Sequence, residues 1–565
     1  MTALTVWAPN AQAVEVELVD SGTRLSMVPG SDGVFCLDAA LIRGPYQLRL
    51  DGGEPLPDPR AQDVESVHGP CHRVDHAAFK WTDADHRPSP LQGAILYELH
   101  VGTFTVEGTF DGAAARLPAL KKLGITHVEL MPVATFAGSR GWGYDGAALF
   151  APHRSYGGVD GLKRFVDAAH ALGLNVLLDV VYNHLGPIGN YLGRFGPYFR
   201  QDAQTPWGGA SVNLDGPGSA QVRRFILDNA LQWLRDYHFD GLRLDAIHAL
   251  ADTAGVHLLA QLKAEAGAAL IIAESDLNDP VVVRDRAQGG HGLDAAWSDD
   301  LHHALHVALT GDRSGYYADY AGSLFELGRA LEQGFVYQGQ TSKFRKRPHG
   351  KPLGDVPLQR LLGYAQTHDQ VGNDALGRRL HHLAGLSRAK AALALVLMAP
   401  FTPMLFMGEE WGASSPFLYF TDHPDAQVAR ATTEGRTREL VAKGYRAQDV
   451  SDPQALATFK KSQLDWNERE QEPHRDMLRF VHALIALRRA SPELCSALPG
   501  RATADDERGT LIYERGSFMV ALNLGAEGSI SLTSDRSWRL LLESGARISS
   551  GSVILASGGI GILGM

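Results

Sequence analysis

From Gly93 onward, short apolar runs alternate with amphipathic stretches eight times, and no other feature of the 565-residue chain narrows its fold so far. The runs cover residues 95–100, 127–131, 175–183, 241–246, 270–274, 293–297, 361–367 and 401–407. Helices are predicted between most of them, at 113–123, 162–172, 220–237, 256–265 and 386–399. Glycines such as Gly124 and Gly173 close several of these. A last amphipathic helix is predicted near 475–489. Eight strand–helix alternations over about 400 residues predict a (β/α)₈ barrel with long insertions. A doubly wound open sheet is the competing architecture, but it usually needs fewer strands.

The flanks read differently. Residues 13–18 alternate apolar and polar side chains, and turn residues then recur about every ten positions, from Gly22 to Gly53. That spacing predicts a small N-terminal β-sandwich. Segments 53–59 and 83–90 read as linkers. Past Pro492 strands are predicted at 510–513, 518–523, 529–532 and 538–542. The expected layout is a multidomain α/β and all-β chain: a sandwich over 1–90, a TIM barrel over 91–492 and a C-terminal β-domain over 493–565.

Composition sets outer bounds. Apolar residues make up 44% and charged residues 21%, which suits a globular chain rather than a disordered or fibrous one. The formal charge of −11 repels phosphate backbones, so nucleic acid is not expected as a partner. The N-terminal residues MTALTVWAPN lack the basic and apolar regions of a secretory signal. The longest apolar stretch, 391–401, is too short for a bilayer, so no membrane association is expected. Cys36, Cys71 and Cys495 are an odd, sparse set that suits a reducing cytoplasm.

The working residues of such a barrel sit at the C-terminal ends of its strands. The third run ends DVVYNH, with Asp179, Asn183 and His184. The fourth ends GLRLDAIH, with Arg243, Asp245 and His248. The fifth ends IIAESD, with Glu274, and the seventh ends QTHDQVGN, with His368 and Asp369. Asp245, Glu274 and Asp369 would thus share one mouth. Crowding and burial raise carboxyl pKa values, so one group can stay protonated as an acid while another serves as nucleophile. Glycoside hydrolysis needs that division of labour. Arg243 lies two residues before Asp245 on one strand, so both face the same side and the cation would aim the carboxylate.

These four stretches, in this order, resemble the signature regions of the α-amylase superfamily of glycoside hydrolases. ILYELHVGTFTVEGTFDGA, VELMPV, GWGYDG and SYGGVDGLKRFVDAAH resemble the branch carrying an N-terminal β-sandwich. NHLGPIGNYLGRFGPYF, WSDDLHHALHVALTG and FMGEEWGASSPFLYFTDH are most similar to its malto-oligosyltrehalose trehalohydrolases. The resemblance implies Asp245 as nucleophile, Glu274 as general acid and base, and Asp369 as a grip on ring hydroxyls. It implies hydroxyl contacts from His184 and His368, ring stacking by Tyr144, orientation of Asp245 by Arg243, and a leaving-group contact from His248. It implies retaining hydrolysis of the α-1,4 bond next to a terminal trehalose in malto-oligosyltrehalose, with no cofactor. It also implies a place after the malto-oligosyltrehalose synthase, with no stable complex. The nearest alternative is a glycogen branching enzyme with the same three carboxylates. A non-catalytic glucan-binding protein would usually have lost one of them.

Several other features carry less. Trp142, Trp207 and Trp411 are candidate sugar platforms. His302 and His306 are four apart, but a packed helix is the plainer account. Asn183 has too few oxygen neighbours for calcium, so no metal is expected. The basic run KFRKRPHGK at 343–351 is expected to be a loop that could approach the mouth. The GxGxxG match at Gly559, Gly561 and Gly564 opens no helix and is accidental.

Overall fold

The eight apolar runs pair as parallel strands and close on themselves. In the computed structural model, which describes residues 3–205, 209–532 and 537–565, they are Leu96–Leu99, His127–Leu130, Asn175–Val180, Gly241–Leu244, Leu270–Ala273, Ala295–Trp297, Leu361–Gly363 and Thr402–Phe406. The first strand pairs with both the second and the eighth, so no edge is left and the open doubly wound sheet is excluded. Strand residues are almost all buried, because helices cover the outer face and side chains fill the inner one. The strands stop one to four residues short of the C-terminal ends of most of the predicted runs, where the chain turns into the loops of the mouth.

The main helices match their periodicity, as at Ser219–Asp236, Leu386–Met398 and His474–Ala490. The helix predicted at 113–123 is two, Phe110–Ala114 and Leu117–Leu123. Pro118 lacks an N–H and is tolerated only in a first turn, so it starts the second piece.

Residues before the barrel form two antiparallel sheets. One orders Ala3–Trp7, Val34–Asp38 and Val28–Pro29; the other orders Arg24–Ser26, Val14–Leu18, Tyr46–Leu50, Cys71–His72 and Asp63–Val64. Val14 and Val16 point inward while Glu15 and Glu17 do not, the period of two that marks a half-buried strand. The two segments read as linkers are packed instead. Leu56 is buried and bridges Leu48, and buried Asp58 accepts a 2.8 Å hydrogen bond from the Tyr46 hydroxyl. Asp83 and His86 bond to the barrel, and the Ser89 N–H donates to Asn175 Oδ1 at 2.9 Å. Their polarity is internal hydrogen bonding, which hydropathy cannot distinguish from solvation.

The C-terminal sheet orders Arg501–Asp505, Thr510–Arg515, Phe518–Asn523, Ser552–Gly564 and Gly528–Ser531, with Arg539–Ser549 also paired along Ser552–Gly564. The glycine-rich tail is therefore a strand that pairs with three others. A Cβ on Gly559 would sit 2.7 Å from the Gly545 carbonyl, so glycine permits the close crossing. Arg515 ties this sheet to the barrel: its Nη1 donates to the Met398 and Ala399 carbonyls at 3.0 and 2.9 Å. Arg488 donates to the same helix end, at Ala399 (2.9 Å) and Leu397. Two guanidinium groups thus cap the negative end of Leu386–Met398.

Candidate active site

One cavity of about 530 Å³ opens at the C-terminal ends of the strands. Tyr144, His184, Arg243, Asp245, His248, Glu274, His368 and Asp369 all line it, so the structure brings the three predicted carboxylates and the five predicted substrate contacts into one space.

Arg243, on the fourth strand, is buried and organises the acidic groups. Its Nη1 donates to both oxygens of Asp179 at 2.8 Å and to Asp245 Oδ1 at 2.8 Å. Its Nη2 lies 3.3 Å from Glu274 Oε2. Its guanidinium stands 4.2 Å from the centroid of the Trp297 ring. One cation therefore spans three carboxylates from neighbouring strands. Asn183 adds an amide that donates to Asp245 Oδ2 and to the Asp245 carbonyl, both at 2.8 Å. The role of Asn183 is to fix Asp245.

The chain turns sharply past Asp245. Ala246 adopts φ 39° and ψ 54°, a left-handed conformation unfavourable for a residue with a Cβ. That turn aims its N–H at Glu274 Oε2, 2.6 Å away. Burial pushes the Glu274 carboxyl well above the usual carboxylate range; Arg243 opposes the shift, and Asp245 and Asp299 reinforce it. Burial likewise lifts Asp179 to about 6 against the pull of Arg243.

A hydrogen-bonded chain joins the far wall to this cluster. The Tyr144 hydroxyl donates to Asp179 Oδ2 at 2.6 Å and lies 2.8 Å from His368 Nε2. The Tyr144 and His368 rings stack, with centroids 5.1 Å apart. His368 Nδ1 is 2.5 Å from Glu98 Oε1, and its backbone N–H donates to Glu98 Oε2 at 2.9 Å. Burial opposes charging of His368, but Glu98 and Asp369 outweigh it and the pKa rises. His184 Nε2 meets the Tyr144 carbonyl at 2.8 Å, while its Nδ1 contacts Asn183. Asp369 Oδ1 accepts from the Asn373 amide at 2.7 Å, and Arg436 in turn holds Asn373 Oδ1 at 2.7 Å. The helix carrying Asp369 packs against Trp142 through Gly372, where a Cβ would meet that ring at 2.1 Å.

Two acids of the site escaped sequence reasoning, Asp299 in the cavity lining and Glu98 behind His368. Glu98 is a buried carboxylate inside the apolar first strand, and that contrast was the available signal. Asp299 lies two residues past the sixth strand and accepts a hydrogen bond from the Tyr364 hydroxyl. Burial, the Tyr364 bond opposing, lifts its carboxyl to about 7, with Asp369 adding to the shift.

The other candidates separate. Trp142 lines the cavity, with its Nε1 donating to the Leu418 carbonyl at 2.9 Å. Trp411 is fully buried against Trp466 and is not a platform. Trp207 lies outside the described residues. His302 and His306 are buried among hydrogen-bond partners, His302 between the Ala365 carbonyl and the Tyr317 hydroxyl, each at 2.9 Å. The basic run forms a small hairpin whose Arg345 donates to Asp276 Oδ2 at 3.0 Å, beside the Glu274 wall. His248 stands 3.8 Å from the other oxygen of Asp276.

The alpha amylase catalytic-domain profile matches residues 76–194. The malto-oligosyltrehalose trehalohydrolase of Arthrobacter ramosus is 48% identical over 533 residues, covering 92% of each chain. That of a Rhizobium species is 46% identical over 548 residues, covering 93% of this chain and 91% of its own. A 1,4-alpha-glucan branching enzyme from Leifsonia xyli is 27% identical and aligns with 73% of this chain and 60% of itself. Among solved structures, an alpha amylase of Salmonella typhimurium superposes with a TM-score of 0.90 at 37% identity, covering 100% of this chain and 97% of that one.

Proposed function

The chain belongs to the malto-oligosyltrehalose trehalohydrolases of the α-amylase superfamily, and from that premise we propose a retaining mechanism and a role for each residue of the mouth. The enzyme is a glycoside hydrolase that cleaves the α-1,4 bond next to the terminal trehalose of malto-oligosyltrehalose, releasing trehalose and a malto-oligosaccharide.

The opposed settings of Asp245 and Glu274 around one guanidinium carry the mechanism. An Asp245 oxygen attacks the anomeric carbon while Glu274 gives its proton to the glycosidic oxygen, and trehalose leaves. Glu274, now ionised, takes a proton from water, which attacks the same carbon and frees Asp245. Burial of Glu274 supports the acid role, because it favours the protonated form that must give up the proton. The bonds from Arg243 and Asn183 support the nucleophile role, because they aim the carboxylate. Retaining enzymes space the two carboxyls by about 5–5.5 Å, and a guanidinium touching both supports that spacing.

Asp369, His184 and His368 grip ring hydroxyls, Tyr144 supplies a flat face to the sugar, and His248 lies on the leaving-group side. The three domains are 1–90, 91–492 and 493–565. No described helix is long and apolar enough to cross a membrane. All three cysteines are free, which supports a reducing cytoplasm, and the substrate supports a place in trehalose biosynthesis after its synthase.

Incubation with maltotriosyltrehalose should release trehalose, and amylose should gain no α-1,6 branches. Branches without trehalose would favour the branching enzyme and overturn this reading.

A further inference from the structure

The helix Ala426–Ala442 lies between the eighth barrel strand and the final helix, outside the regular strand–helix alternation. Of its residues only Leu440 is buried. A helix with so small an apolar face gains little from packing, so polar contacts must account for its seat. Arg436 breaks the exposed pattern. Its side chain is 9% exposed, and its guanidinium stands 5.2 Å from the centroid of the Tyr419 ring, which lines the cavity at the mouth. Glu439 accepts from Arg436 Nη1 at 3.0 Å, but its side chain is 46% exposed, and a wet ion pair contributes little.

The other bonds of Arg436 go to the segment that carries Asp369. Its Nη2 donates to the Gly372 carbonyl at 2.6 Å, at the end of the helix His368–Gly372, and its Nη1 donates to Asn373 Oδ1 at 2.7 Å. Asn373 Nδ2 in turn donates to Asp369 Oδ1 at 2.7 Å. Chemistry dictates the order of these bonds. A guanidinium can only donate, so it holds the amide oxygen and leaves the NH2 group for Asp369. Asp369 Oδ2 has no hydrogen-bond partner among the described residues, which leaves it for a sugar hydroxyl.

The helix His368–Gly372 has five residues, too few to hold itself by its own hydrogen bonds, so its neighbours set its position. Gly372 backs onto Trp142, where a Cβ would meet the ring at 2.1 Å. Trp142 meets Tyr419 edge-on, with centroids 5.3 Å apart. Tyr445, just past the surface helix, donates its hydroxyl to Asp374 Oδ2 at 2.8 Å. Trp142 thus blocks one movement of the segment, and Arg436 and Tyr445 tether it to the surface helix.

We propose that Arg436 is a positioning residue for the hydrolysis: it fixes the Asn373 amide and the end of the helix His368–Gly372, and through them sets the Asp369 carboxylate against the sugar. This role rests on the proposed grip of Asp369 on ring hydroxyls. Arg436 lies behind the residues that line the cavity, so it acts through Asp369 and not on the substrate. Asp369 favours the distorted sugar, so its misplacement should slow the chemical step more than it weakens binding. A shift of about 1 Å is worth roughly 10²-fold in rate.

The test measures kcat and KM on maltotriosyltrehalose for full-length R436M, N373A and the double variant, with thermal unfolding beside them. R436M should lower kcat by about 10–100-fold and change KM by less than about threefold. R436K keeps the charge but lacks the fork that reaches both acceptors, so its kcat should fall between those of R436M and the unaltered enzyme. N373A should lose a factor similar to R436M, and the double variant should lose less than about threefold more, because both changes break one link. If R436M does not fold, R436K takes its place in the same cycle. A folded variant with unchanged kcat, a fall in Tm alone, or losses that multiply in the double variant would overturn the proposal. D369N separates the two roles. Near-normal turnover there would remove Asp369 from its grip on the sugar, whereas an inactive D369N beside an unslowed R436M would remove Arg436 alone.

Discussion

At the mouth of the barrel one guanidinium, Arg243, faces Asp179, Asp245 and Glu274. At the floor, Asp83 and Asp240 face His86, His170 and His238. The mouth has more buried carboxylates than cations to answer them, so Glu274, Asp179 and Asp299 hold protons above their usual range. The floor has enough imidazoles. Burial opposes ionisation of Asp83, but bonds to His238 and His170 outweigh it and hold its pKa below the usual value. Arg488 and Arg515 extend the pattern, because both are spent on backbone carbonyls at the floor end of a helix. Deficit at one end leaves carboxyls that hold their protons, as the proposed acid role of Glu274 needs; sufficiency at the other leaves carboxylates ion-paired and fixed.

This contrast can be broken from either side. The largest expected effect is at the mouth. Asp245→Asn should cut turnover by about 10⁴-fold or more, since it removes the proposed nucleophile and with it the proposed covalent route. The fold should hold, because Arg243 keeps Asp179. Near-normal turnover in steady-state assays would remove Asp245 from its role.

The next effect belongs to the floor. Arg515→Met strips charged hydrogen bonds from buried carbonyls and should cost about 2–5 kcal/mol in denaturant unfolding. Turnover of the folded fraction should stay the same. A drop in kcat with unchanged stability would erase the division between the two ends.

Smaller again is Tyr144→Phe. It removes the hydroxyl that joins Asp179 to His368, and kcat/KM should fall about 10–100-fold, the usual worth of a hydrogen bond to a charged group. A fall confined to Tm would make the tyrosine a packing residue.

The smallest effect is a slope. A carboxyl with a raised folded pKa makes the native state bind more protons than the unfolded one, so stability drops as pH rises through that window. For Asp299, near 7, the window runs from about pH 4 to pH 7. Asp299→Asn should therefore flatten the decline of Tm across that range by about 1–3 °C. An unchanged slope would mean that Asp299 is not the protonated group.

The barrel was legible because a strand buried on both faces must be a run of apolar residues, and eight such runs have few other uses. The mouth was legible because its titratable groups end those runs. Glu98 and Asp299 were harder. A single acid in or just past an apolar strand gains meaning only when closure brings the first strand opposite His368, and no local pattern encodes that. The stretch 83–90 misled for the same reason. Its Asp, His and Pro look solvated along the chain but are satisfied by residues that lie up to 155 positions away. The tail, whose GxGxxG match is accidental, was not legible as a strand, because its glycines serve a tight sheet crossing rather than apolar alternation.

The strand Ser552–Gly564 has a consequence for the order in which the protein is made. It follows every other described strand, yet three of them depend on it for pairing. During synthesis the barrel strands leave the ribosome long before this partner exists. The C-terminal sheet cannot close until Ser552–Gly564 has emerged; until then Phe518–Asn523 has Thr510–Arg515 on one side and an open edge on the other. A ribosome that stalls before Ser552 would leave a chain with the whole mouth encoded and an open edge in its C-terminal sheet.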